Sequence, residues 1–391
     1  MSDALFSRND DLKRLRDAGY LIQVVGGLLV MREVPYVNAQ KEVKRSVLIS
    51  TLCLSGDLTQ KPEPHTVQFC GDFPCQADGV PLQAIAAGTG QWDLGHGLAA
   101  QHMFSSKPDN RGYQNYFDKM TTYANILAGP AAVLSPGVSA KVFREPDEDE
   151  ESVFNYLETA SDRVGIGALT ARLKGERVAI VGVGGTGSYI LDQVAKTPVA
   201  EIRLIDKDEF LQHNAFRAPG APSLDSLRQV WKKVEYFKEI YSRIHRHIVA
   251  HAVQLDASNV HVLDGVTFAF LSMDAGEPKR AVIERLESMG VSFIDVGMGL
   301  ELKGDSLGGI LRVTTSTPGA REHLRQRVSF DGGGDDVYVS NIQVAELNML
   351  NAALAVIKWK KIRGFYRDLE QEHHCSYTID GNMLLNGDQT S

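Results

Sequence analysis

The sequence predicts an α/β protein: a doubly wound, mostly parallel sheet preceded by an α+β domain. Three observations lead there. After residue 150, apolar runs of strand length alternate with helical patterns, the signature of parallel strands joined by right-handed crossovers. A glycine-rich segment, Gly182–Gly187, sits between the first of those strands and a helix. Before residue 150 the runs carry hairpin signals and lack that alternation.

The two parts meet at an acidic run. Residues 145–151, Glu-Pro-Asp-Glu-Asp-Glu-Glu, place six acids around one proline, which reads as a solvated linker held extended by its own charge. The expected domains are residues 1–144, an α+β domain of unread role; residues 145–160, linker and lead-in; and residues 161–391, the α/β domain. At 391 residues and 43% hydrophobic composition, the chain can bury two cores. A formal net charge of −8 argues against nonspecific nucleic-acid binding. No run of 18 apolar residues appears, so no membrane span is expected. Met1–Ala4 lacks a signal-peptide pattern, and four scattered cysteines do not make a disulfide framework; both point to a reducing cytoplasm. Cys70 and Cys75 have zinc-ligand spacing, but no second pair follows.

In the first part, Leu12 to Leu15 suggest a short amphipathic helix. Tyr20–Val25 and Leu28–Arg32 flank Gly26-Gly27 as a hairpin. Val47–Leu54 and Thr66–Cys70 read as strands. Gln114–Leu127 reads as a helix with Tyr116, Met120, Tyr123 and Leu127 on its core face. In the second part, strands are expected at Arg177–Val181, Glu201–Ile205, Val266–Ser272, Ser292–Val296 and Gly308–Thr315. Helices are expected from the glycine segment through Lys196, at Val234–Ile244, at Lys279–Met289 and at Asn341–Lys361.

The chemistry starts at Gly182-Val183-Gly184-Gly185-Thr186-Gly187, a G-x-G-x-x-G segment in strand-to-helix context. Glycines allow a tight turn and close approach, and the helix start offers free amides and a positive dipole end to phosphate. Such a loop belongs to a Rossmann-like sheet. Asp206 closes the second strand 24 residues after Gly182, where a carboxylate can accept ribose hydroxyls. These features suit a dinucleotide or ATP alike. Arg217 and Lys233 add positive charge for a triphosphate, and Asp274 adds a hard oxygen ligand for Mg²⁺. A nicotinamide enzyme has no use for that set.

In this order and spacing the motifs resemble the ThiF/MoeB/HesA family of ubiquitin-activating-like adenylyltransferases, of the kind found in bacterial ubiquitin-like pathways. The resemblance runs over about residues 160–360. Gly182, Gly184, Gly185 and Gly187 stand in the family's glycine loop. Asp206 and Asp208 stand in its D-x-D, Asn214 and Arg217 in N-x-x-R, Lys233 in K-V-E, and Asp274 at the close of a later strand. The resemblance implies an enzyme that binds ATP and Mg²⁺ and adenylates the C-terminal carboxylate of a small ubiquitin-like or sulfur-carrier protein. It implies a conjugating enzyme as a further partner, and a homodimer in which an arginine reaches the partner's ATP. Arg163 is the nearest arginine for that role, with a surface arginine as the competing reading. Leu347, Leu350 and Leu354 give the last long helix an apolar stripe suited to pairing or to the core.

Three departures bear on mechanism. Ala218 and Ala275 replace the Gln and Asn usual after the arginine and the aspartate. Thr317-Pro318 is followed by no cysteine, although family members that relay the acyl group usually carry one there. Cys375, beside His373 and His374, is the sole cysteine of the second part, and an incidental cysteine is the favoured reading. The hydroxyls of Thr314–Thr317 would need a general base to accept an acyl group. Direct transfer from the adenylate is the third route. Two readings from other classes stay open: an NAD-dependent oxidoreductase and a catalytically silent scaffold of an activating complex.

Overall fold

A computed structural model describes residues 5–6, 8–143, 152–163, 166–330 and 342–389. The acidic run at 145–151 lies outside the described residues. The chain forms two compact units, Met1–Ala171 and Arg172–Ser391. Among the described residues no helix is long and apolar enough to cross a membrane.

The first unit begins with α1 (Asp10–Asp17) and continues through β1 (Ile22–Val25), β2 (Leu28–Val37) and β3 (Val43–Thr51). A small hairpin follows, β4 (Leu54–Ser55) and β5 (Leu58–Thr59). Then come β6 (Val67–Phe69), β7 (Ala86–Gly95), β8 (Leu98–Phe104) and α2 (Tyr116–Leu134). Its main sheet runs β1-β2-β3-β6-β8-β7, antiparallel throughout. The expected hairpin forms around Gly26, whose φ of 58° sits in the left-handed region a tight turn needs. Helix α2 starts on Asn115, whose side chain accepts from the Asp118 amide at 2.8 Å. Its expected face is correct: Tyr116, Met120, Tyr123 and Leu127 are fully buried in one cluster with Leu29, Met31, Phe69 and Phe104. Strands β7 and β8 were not expected from sequence.

The lead-in helices α3 (Ala160–Arg163) and α4 (Gly167–Ala171) cluster with the first unit rather than with the residues that follow them. The second unit runs β9 (Arg177–Val181), α5 (Gly185–Val194), β10 (Glu201–Ile205), α6 (Gln212–Ala215), α7 (Leu224–Arg228), α8 (Lys233–Tyr241) and β11 (Ile248–His251). It continues with β12 (Phe268–Leu271), α9 (Glu277–Ser288), β13 (Ser292–Lys303), β14 (Ser306–Ser316), α10 (Leu324–Arg327), α11 (Ala345–Ile362), β15 (Glu372–Thr378) and β16 (Met383–Gln389).

These strands form one sheet in the order β11-β10-β9-β12-β13-β14-β15-β16. Pairings from β11 to β13 are parallel, as expected of β9, β10, β12 and β13, while β11 itself was not foreseen. From β13 onward they are antiparallel, and β15 and β16 were not foreseen. Alternation along β9 shows the double winding. Val178 and Ile180 join one core with α5 and α11, while Ala179 and Val181 join a second core with α9. The buried residues of α11 are Asn348, Asn351, Ala352, Ala355, Val356, Lys358 and Trp359. Its leucine stripe is only partly buried, because the small residues let α11 lie close on α5 and the sheet.

The strand order reverses beside β9: the chain leaves it for β10 and β11 on one side, then returns to β12 on the other. In open α/β sheets ligands bind outside the carboxyl ends of strands at such a switch point.

Candidate active site

The glycine loop occupies that switch point, and its glycines answer different demands. Gly182 has φ 84°, and a β-carbon there would lie 2.1 Å from the Ser272 carbonyl at the end of β12. A β-carbon on Gly187 would lie 1.8 Å from the Gly182 carbonyl. One on Gly185 would lie 2.2 Å from Asn348 Nδ2 on α11. These three are glycine because the protein's own atoms fill the space. A β-carbon on Gly184 would meet no atom within 4 Å, so this glycine borders open space at the start of α5. That is the cradle a phosphate needs: free amides, a helix N-terminus and room.

Asp206 follows β10, and its side chain is 9% exposed. Its Oδ2 accepts the Val183 amide at 2.9 Å, and its Oδ1 accepts the Asp208 amide at 2.9 Å. Each oxygen keeps a second lone pair for a ligand. Asp206 therefore also shapes the glycine loop, a duty the spacing did not reveal.

Lys233 opens α8, and its amide donates to the Asp208 carbonyl at 2.9 Å. Its Nζ donates to Asp208 Oδ2 at 2.8 Å and lies 3.9 Å from Asp206 Oδ1. Burial alone would push the Asp208 carboxyl up, but the bond and charge of Lys233, with Lys207 and Lys232 nearby, hold it below its ordinary value. Lys233 is thus buried between two carboxylates before any ligand arrives.

Asn214 lies in the short helix α6 and is 2% exposed. Its Oδ1 accepts the Leu211 amide at 2.8 Å, while its Nδ2 is enclosed with no hydrogen-bond partner. Arg217 follows that helix, and its Nε is likewise enclosed and unpartnered. Burial lowers the Arg217 pKa, against the opposing pull of Asp274. His213 is held below its ordinary pKa by burial, then by the charges of Arg217 and Lys233, so the local field is positive. Asp274 is exposed just past β12, close enough to Arg217 to act on it electrostatically. Among the described residues no three His, Cys, Asp or Glu side chains gather to hold a metal by themselves. A Mg²⁺ ion at Asp274 would therefore take its remaining oxygens from phosphate and water, the usual arrangement for that ion.

The structure thus gathers Gly182, Gly184, Gly185, Gly187, Asp206, Asp208, Asn214, Arg217, Lys233 and Asp274 around one sheet edge. Arg163 ends α3, in the first unit. Two residues escaped the sequence reading. Asn348 is 1% exposed; it accepts from Thr186 Oγ1 at 2.9 Å and donates to the Arg217 carbonyl at 3.2 Å. Lys279, on α9, places Nζ 2.5 Å from Asp295 of β13 and 3.4 Å from the Met273 carbonyl beside Asp274. Burial raises the Asp295 carboxyl despite Lys279 and Arg312. A lysine two residues into an acid-capped helix reads as surface in sequence, and only the sheet reveals its buried partner.

Residues 160–323 match the model of the ThiF family, and residues 10–159 match a domain of unknown function, DUF6791. Residues 160–323 form a ThiF-family domain. Solved structures similar to it include E. coli MccB with MccA-N7isoASN, at 19% identity over 59% of this chain and 70% of that one, TM-score 0.48. E. coli MccB with ATP is similar at 18% identity over 59% and 70%, TM-score 0.45. Selenomethionine PaaA is similar at 17% identity over 59% and 78%, TM-score 0.45. No curated protein matches the sequence.

Proposed function

We propose that the second unit binds ATP with Mg²⁺ and adenylates the C-terminal carboxylate of a small ubiquitin-like or sulfur-carrier protein, releasing pyrophosphate. The observation that carries this reading is the open space at Gly184, at the start of α5, beside the lone pairs that Asp206 keeps free. Room at a helix N-terminus suits phosphate oxygens, and a carboxylate closing the second strand suits ribose hydroxyls.

Each residue then has a task. Amides of the loop and the start of α5 take phosphate oxygens. The free lone pairs of Asp206 take ribose hydroxyls. Arg217 and Lys233 offset the charge that grows as the carboxylate attacks the α-phosphorus and the bond to pyrophosphate breaks. Asp208 holds Lys233 in place. Mg²⁺ held by Asp274 would neutralise the leaving pyrophosphate. Positioning and charge neutralisation account for catalysis, and no covalent bond to the protein is required in this step. A homodimer with Arg163 acting across it belongs to the same proposal, and light scattering of the full chain reads it: a monomer at working concentration removes that role.

The deciding experiment is calorimetry of the full chain with ATP·Mg²⁺ and, separately, with NAD. ATP binding without NAD binding is the expected result. NAD binding without ATP makes the domain an oxidoreductase, and binding of neither makes it a silent scaffold. If ATP binds, the activated protein is sought among small glycine-terminated proteins, with a conjugating enzyme as the onward acceptor.

A further inference from the structure

The sheet edge that carries the glycine loop continues to strand β14. Val181, Leu271 and Asp295 form one rung across β9, β12 and β13, and the loop begins one residue beyond it, at Gly182. β13 does not stop at that rung. Gly297 and Gly299 carry it further, paired with Arg312 and Ile310 of β14. Arg312 therefore stands beyond the last rung, at the same edge as the glycine loop, Met273 and Asp274.

Asp295, Gly297 and Gly299 share one face of β13, as alternate residues of a strand do. On that face buried Asp295 meets Lys279, whose Nζ lies 2.5 Å away and 3.4 Å from the Met273 carbonyl beside Asp274. The Arg312 guanidinium lies over Gly297: a β-carbon there would stand 2.9 Å from its Nη2 and 3.2 Å from its Nε. A β-carbon on Gly299 would meet only Ile310, at 3.9 Å, so the floor beyond the guanidinium is bare. That floor opens into a cleft of about 490 Å³ lined by Gly299, Ile310, Thr378 and Asp380 among others.

The charge of Arg312 has no close partner in the fold. Lys279 already pairs with Asp295, and Arg312 acts on that carboxylate only through space. Among the described residues none shares a hydrogen bond or ion pair with Arg312. The carboxylates of the cleft are engaged elsewhere: Asp380 accepts the Gly309 amide at 3.2 Å, and Glu301 pairs with Lys303 at 2.6 Å. A partly buried guanidinium with open space beside it is a fork for a carboxylate.

Distance along the edge says which carboxylate. β14 is three strands from β9, about 14 Å at about 4.8 Å per spacing. An extended chain covers that length in about four residues, at about 3.3 Å each. A protein tail whose terminal carboxylate lies at the glycine loop therefore places the residue about four before its end at Arg312.

We infer that Arg312 is a specificity-determining residue: it receives an acidic side chain about four residues before the C-terminus of the adenylated protein, as that tail lies extended over Gly297 and Gly299. The inference rests on the adenylation reading above, which supplies the tail and the end at which it reacts. The two glycines add no side chain to the floor, so the tail's own side chain meets the guanidinium.

The test uses the full chain and fluorescein-labelled hexapeptides, read by fluorescence anisotropy without ATP. The probe is Ala-Glu-Ala-Ala-Gly-Gly, compared with peptides that carry Gln or Lys in place of Glu. The Glu peptide should bind about tenfold more tightly than the Gln peptide, the scale of one charge-assisted pair, and the Lys peptide more weakly still. Arg312→Gln should bind the Glu and Gln peptides alike. Arg312→Glu should prefer the Lys peptide, a reversal that loss of structure cannot produce. Circular dichroism confirms that each variant is folded, and Arg312→Gln keeps the test decisive if Arg312→Glu is unstable. Equal binding of the Glu and Gln peptides by wild type, a Glu preference that survives Arg312→Gln, or no binding of any peptide overturns the inference. Calorimetry with ATP is read separately: ATP binding beside peptides that are not discriminated leaves the adenylation reading standing and removes this role of Arg312.

Discussion

The amide of Asn348 fills the space that a side chain on Gly185 would need, its Nδ2 lying 2.2 Å from where that β-carbon would stand. The same amide accepts from Thr186 Oγ1 and donates to the Arg217 carbonyl. One side chain on α11 therefore fixes the start of α5 and the arginine segment together. Gly185→Ala should displace Asn348 and break both bonds, costing about 1–3 kcal/mol as core overpacking does. Asn348→Ala keeps the space but loses the bonds. Both variants should bind ATP at least tenfold more weakly, the effect of about 1.4 kcal/mol. Thermal unfolding and ATP titration read the two effects separately. Wild-type ATP affinity in Asn348→Ala would remove its positioning role.

Asp274 is the exposed carboxylate beside the Arg217 charge. If it anchors Mg²⁺, Asp274→Ala strips the ion of its protein ligand. ATP–pyrophosphate exchange driven by the cognate carboxylate should then fall on the order of a thousandfold. The fold should be unaffected, because the side chain is in solvent. Exchange above about a tenth of wild type would place the ion elsewhere, since loss of a single essential ligand costs more than that.

Local signals made much of this legible. Apolar runs marked β9, β10, β12 and β13, and glycines marked the loop, because strand burial and tight turns are written in adjacent residues. The core face of α2 was legible for the same reason: its four aromatic and aliphatic residues recur at helical spacing. Strand β7 was not, since Ala-Ala-Gly-Thr-Gly-Gln-Trp-Asp-Leu-Gly carries few of the branched residues that mark strands. β16 was hidden because Met383, Leu384 and Leu385 are about half-exposed at the sheet edge and share no period with a core. Contacts between distant residues were out of reach altogether. Thr317 and His373 stand 56 residues apart, and Asn348 and Thr186 stand 162 apart. Composition supplied the hydroxyls and imidazoles, and only the register of β14 on β15 pairs them.

Lys119 offers a test in the first unit. It is fully buried on α2, where Nζ donates to Ser50 Oγ at 2.7 Å and to the Pro64 carbonyl at 2.8 Å. Burial pushes its pKa down to about 7, with Cys53 pulling weakly the other way. In the unfolded chain a lysine titrates near 10.4. Between those values the unfolded state holds a proton that the folded state has released, so stability rises with pH across the window. Read downward, stability is lost as pH falls toward 7 and levels off below it. The slope is about 1.4 kcal/mol per pH unit at most, so about 2 kcal/mol separates pH 7.5 from pH 9. Tyr116 and Tyr123, raised by burial, act oppositely at higher pH, as do Cys70 and Cys75. Those groups are common to wild type and variant, so comparison cancels them. Lys119→Met keeps the length and removes the charge. Hydrogen exchange of the α2 amides at both pH values, corrected for intrinsic rates, should show wild-type protection rising with pH relative to that of Lys119→Met. Equal slopes in the two proteins would mean that Lys119 keeps its proton when folded, and that Ser50 and Pro64 solvate a buried ammonium.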